Sequence, residues 1–98
     1  MLTIAEAVDR TRDALRGLAE LGEAVGDEWQ YVTDLEGTWR RRLDQVVAAR
    51  GAEALDPGAA AAIEALAAEA AAVDDPHRAI DWLSTLPQAA LLALGEAG

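Results

Sequence analysis

Apolar residues recur at helical spacing along almost the whole chain. From the first residues onward, Ile4, Val8, Thr11, Leu15, Leu18, Gly22 and Val25 step by four and three, which sets them along one seam of a helix predicted over 3–25. Thr3 with Glu6 three residues later has the pattern of a capping box at its start. Gly26 is the predicted stop, and Asp27 with Gln30 offers a second cap. A second helix, predicted over 28–50, repeats the stepping through Trp29, Val32, Glu36, Trp39, Leu43 and Val46. Asp9, Arg10, Asp13, Arg16, Glu20 and Glu23 fall off the first seam and are expected to face water.

A tight turn at Gly26 and Asp27 folds the second helix back antiparallel on the first. The two seams then match position by position: Val25 with Trp29, Gly22 with Val32, Leu18 with Glu36, Leu15 with Trp39, Thr11 with Leu43 and Val8 with Val46. Agreement of two independent periodicities on one register predicts an antiparallel helical hairpin, with Trp29 and Trp39 in its core. Gly37 interrupts the second helix with a residue costing about 1 kcal/mol relative to alanine. The register survives across it, so a continuous helix is expected.

After Gly51, Asp56 followed by Pro57 marks another helix start, acid as cap and proline at the first helical position. This third helix, 57–73, is almost all alanine, with a narrow stripe of Ile63, Leu66, Ala70 and Val73. Asp75 and Pro76 repeat the start signal. Pro87 lacks a backbone donor, so the tail is expected to kink or restart as a short helix over 86–94, with Thr85 and Gln88 as cap residues and Gly95 as stop. The fold class predicted is all-α: a small helical bundle built on the hairpin of 3–25 and 28–50, plus an Ala-rich third helix and a short Pro-bent C-terminal segment. All 98 residues are expected to form one domain.

Composition narrows the functional classes. Half the residues are apolar, but alanine dominates them and the chain has only three Trp, one Tyr and no Phe. The core is therefore thin, and association with a partner would supplement it. Without Cys there is no disulfide framework, thiolate metal site or cysteine nucleophile. The start carries acids and no basic run before an apolar one, and no apolar stretch approaches membrane-spanning length, so a cytoplasmic protein is expected. A net charge of −10 disfavours nucleic acid and anionic membranes as partners.

Candidate chemistry is sparse. Asp27 to Gly51 gathers two of the three Trp, the only Tyr and four of the eight basic residues, among them Arg40, Arg41 and Arg42. Glu36 with Arg40, and Arg40 with Asp44, have ion-pair spacing, which leaves Arg41 and Arg42 as candidates for an interface. Trp82, Leu86, Leu91, Leu92 and Leu94 are the other interface candidates, as an apolar patch of the tail. His77 is the sole histidine, and Ser84 has no histidine base near it in sequence.

Glu20 with Glu23, and Glu53 with Asp56, are carboxylate pairs spaced by three. They resemble the Glu-x-x-Glu and Glu-x-x-Asp pairs of the MazG-like all-α nucleotide pyrophosphohydrolases. The resemblance covers these four residues, and Asp56 departs from it by preceding Pro57. It implies Mg²⁺ or Mn²⁺ held by the four carboxylates and a metal-dependent hydrolase. The reading from the residues themselves is a non-enzymatic protein-interaction or assembly module without cofactor, a homodimer burying the alanine face and the C-terminal leucines.

Overall fold

Thr3 caps the first helix as its sequence requires: its hydroxyl accepts from the Glu6 N–H at 3.2 Å, and the Glu6 carboxylate accepts from the Thr3 N–H at 3.0 Å. The computed structural model describes residues 2–27 and 29–96. It contains four helices, α1 (Ile4–Glu23), α2 (Trp29–Arg50), α3 (Pro57–Ala71) and α4 (Pro76–Ala93), and no strand among the described residues. The first residue of the predicted second helix, Glu28, lies outside them.

Helix directions alternate along the chain. A Cβ on Gly22, near the end of α1, would stand 3.3 Å from Val32 and 3.2 Å from Ile80, near the starts of α2 and α4. Both helices therefore run antiparallel to α1, and Gly22 leaves room for the Val32 and Ile80 side chains against it. Arg10 pairs with Glu64 in the middle of α3, and Leu18 and Leu21 lie beside Ala70 and Val73 at its end, so α3 runs parallel to α1. The Gly22–Val32 contact and the Arg12–Asp44 ion pair keep the hairpin register read from the two seams.

The centre of the bundle is α1. Like α4 it touches each of the other three helices, and it buries the most residues, whereas α2 and α3 do not touch one another. Its buried residues are Ile4, Ala7, Val8, Thr11, Leu15, Leu18, Ala19 and Gly22, the predicted seam widened by Ala7 and Ala19. In α2 only Val32, Trp39, Leu43 and Val46 are buried. The Thr11 hydroxyl donates to the Ala7 carbonyl at 3.0 Å, so this buried hydroxyl is satisfied within its own helix.

Chain ends and connections are tied into this centre. Two orphan donors at the start of α1 are taken up by the loop after α2: Ile4 N–H donates to the Glu53 carbonyl at 2.9 Å and Ala5 N–H to the Gly51 carbonyl at 3.0 Å. Leu55 N–H donates back to the Leu2 carbonyl, and the Leu55 side chain is buried. At the turn between α1 and α2, Gly26 takes φ +78°, a conformation other residues rarely adopt.

Three expectations are corrected. α4 is not broken at Pro87 but runs helical from Pro76 to Ala93, and Thr85 donates to the Asp81 carbonyl within the helix instead of capping a new one. An internal proline costs about 3 kcal/mol. Burying Leu83, Leu86 and Leu91 on one face of an unbroken helix returns about 1.5–3 kcal/mol each, which outweighs it. That same continuity makes Leu86, Leu91 and Leu94 core residues, so they are not part of an exposed patch. Finally, Trp29 is 57% exposed and lies outside the hairpin core, because its partner position Val25 falls beyond the end of α1.

Gly95, at φ +80°, ends α4 with a Schellman arrangement: Glu96 N–H donates to the Leu91 carbonyl and Gly95 N–H to the Leu92 carbonyl. Arg50 Nη1 adds a bond to the Leu94 carbonyl at 2.9 Å, which pins the ends of α2 and α4 together. No described helix is long and apolar enough to cross a membrane.

Candidate interaction surface

The carboxylates suggested for a metal site lie at opposite ends of α1. Glu53 stands beside Ile4, while Glu20 is 16 residues further along, about 24 Å of helical rise. Asp56 is occupied as the cap of α3, its Oδ2 accepting from Gly58 N–H at 2.9 Å and Ala59 N–H at 3.2 Å. The structure thus does not bring Glu20, Glu23, Glu53 and Asp56 together, and among the described residues no three acids or histidines converge on one point. His77 is exposed on the first turn of α4.

Charged side chains of α1 and α2 line a depression of about 530 Å³ formed by Asp9, Arg12, Asp13, Arg16, Arg40 and Asp44. Each guanidinium in it already has a carboxylate. Arg12 meets Asp9 at 2.9 Å and also pairs with Asp44, Arg16 meets Asp13 at 2.6 Å, and Arg40 pairs with Glu36. These exposed pairs stabilise the helix edges by at most about 1 kcal/mol each. Glu36, the charged residue on the α2 seam, is held at the rim of the core by its Arg40 partner.

Arg41 and Arg42 differ from their neighbours in having no ion pair among the described residues. Arg41 is exposed, its Nη2 3.5 Å from the Thr38 hydroxyl. Arg42 places its guanidinium 5.6 Å from the centre of the Trp39 ring, within cation–π range. Trp39 is buried, and its indole N–H has no hydrogen-bond partner.

Beside this stacked pair lies a groove between α2 and α4 of about 260 Å³, lined by Trp39, Arg42, Gln88, Leu91 and Leu92. The helix pattern explains it. Leu91 faces the core while Leu92, one residue on, turns outward and is 69% exposed. Of the interface candidates from the sequence, the structure therefore brings Leu92 and Arg42 to one groove, with Leu91 as its floor, while Arg41 is exposed and does not line it. Trp82 is half-buried and packs against the core, and Leu86 and Leu94 are inside it. Sequence reasoning missed Gln88 as a groove residue, which the parallel packing of α2 and α4 creates, and the stacking of Arg42 on Trp39, an i,i+3 pair within α2.

The remaining large exposed apolar side chains are Trp29 and Tyr31, at 57% and 53%, on the first turn of α2. Their surroundings in sequence are acidic: residues 17–39 contain Glu20, Glu23, Asp27, Glu28, Asp34 and Glu36 and no basic residue. Comparison of the chain with protein-family models, curated protein sequences and solved structures gives no match.

Proposed function

We propose that the chain is a non-enzymatic protein-interaction or assembly module that associates with copies of itself. The observation that carries this reading is the groove between α2 and α4, where exposed Leu92 adjoins Trp39 under an Arg42 guanidinium that no carboxylate engages. Trp and Arg are among the residues that dominate binding energy at protein interfaces. The hydrolase reading finds no such support, since its four carboxylates stand at two ends of α1.

Burial of Leu86, Leu91 and Leu94 within the fold moves the expected contact from the whole C-terminal face to this groove. Static light scattering over a dilution series tests the proposal. A weight-average mass that climbs above the 10.3 kDa of one chain as concentration rises supports it. A mass fixed at 10.3 kDa at every concentration contradicts self-association.

A further inference from the structure

The exposed large apolar side chains among the described residues fall in two places of opposite character. One is the first turn of α2, where Trp29 and Tyr31 project from a stretch whose charges are all acidic. The other is the groove at Leu92, where the one charged lining residue is Arg42, which forms no ion pair among the described residues. We propose that the Trp29–Tyr31 turn of one copy seats in the α2–α4 groove of a second copy, a head-to-tail contact. This rests on the interaction-module reading and supplies its partner and its residues.

Size and charge both favour this occupant. A groove of about 260 Å³ lies just below the range of pockets for drug-sized ligands, and takes one large aromatic side chain. Asp27 and Asp34, both exposed, flank the aromatic turn and would offer carboxylates to Arg42 on the other copy. No chain can fill its own groove, because Trp29 and Arg42 are held about 20 Å apart along one rigid helix.

A two-fold contact of groove on groove is disfavoured, since it sets Arg42 against Arg42 and leaves the aromatic turn exposed. The head-to-tail contact joins different surfaces, so it extends into short oligomers or closes as a ring. One aromatic turn in one groove is a small interface, and the association is weak and concentration-dependent.

Complementation between two variants tests it. Trp29→Ala removes the aromatic anchor and keeps the groove, whereas Leu92→Glu blocks the groove and keeps the anchor; both side chains are exposed, and circular dichroism confirms that each variant folds. At concentrations where wild type exceeds 10.3 kDa, each variant alone is expected to stay at that mass, and their equimolar mixture to give a species of twice it. Arg42→Glu is expected to behave as Leu92→Glu does. Association of either single variant to the wild-type extent, or a mixture that stays at one-chain mass, overturns the head-to-tail contact while leaving the module reading standing. A wild-type chain that never exceeds 10.3 kDa overturns both.

Discussion

α1 and α2 have nearly equal lengths, 20 and 22 residues, and the same stepping of apolar positions, yet α1 buries eight residues and α2 four. The difference lies in how many neighbours each helix has. α1 is enclosed by α2, α3 and α4, and its buried face widens beyond the seam to take in Ala7 and Ala19. α2 packs on α1 and, along its later turns, on α4, so Trp29 and Tyr31 are left without cover. Periodicity states where a helix is apolar; it does not state how many partners share that face. The helix richest in rings and arginines is the outer one, which is why its aromatic start and its groove are free to meet another molecule.

Substitutions should separate the two helices. The largest effect is expected for Leu15→Ala in α1, a loss of about 2–5 kcal/mol as a void opens in the bundle centre. Urea denaturation reads it as a lower midpoint at unchanged slope, and Leu35→Ala, at a half-buried site of α2, should cost clearly less. Next comes Gly22→Leu, which drives a side chain into Val32 and Ile80 and should cost about 1–3 kcal/mol by overpacking. Equal stability of this variant and wild type would mean that α1, α2 and α4 do not meet at Gly22.

A smaller loss, about 1 kcal/mol, is expected for Thr3→Ala, which removes the side-chain cap of α1. The same cap gives the fold an acid-side pH dependence. Its backbone N–H, donating to the Glu6 carboxylate, holds that group below its ordinary pKa, helped by the Thr3 hydroxyl. A carboxylate depressed in the folded state stabilises above its unfolded pKa and loses that contribution as pH falls through its folded value. Glu6→Gln should therefore flatten the decline of thermal midpoint on the acid side of the carboxylate range. The smallest effect belongs to Trp29→Ala, within about 0.5 kcal/mol for the dilute chain because its ring is exposed, although the hairpin register alone would have made it a core mutation.

Much of this fold was legible in the sequence, for local reasons. The capping box, the Asp-Pro start of α3 and the stops at Gly26 and Gly95 act within a few residues. The matched seams of α1 and α2 needed only two periodicities and a short turn. What escaped depends on tertiary context. Reading Pro87 as a kink or a restart concealed the continuous stripe through Leu83, Leu86, Ala90, Leu91 and Leu94 that packs into the core. Trp29 fits the α2 seam, but the helix that would cover it ends at Glu23. The groove was out of reach for a related reason: Trp39 and Arg42 come from α2, Gln88 and Leu92 from α4, and nothing local in the chain pairs them.

Native-state hydrogen exchange tests most directly the claim that α1 is the centre and α2 an outer helix. Amides from Thr11 to Leu18 are expected to exchange only through global unfolding, whereas those from Val32 to Leu35 open locally at lower free energy in the dilute chain. Protection of Val32–Leu35 equal to or above that of Thr11–Leu18 would contradict it, and would return α2 to the middle of the fold.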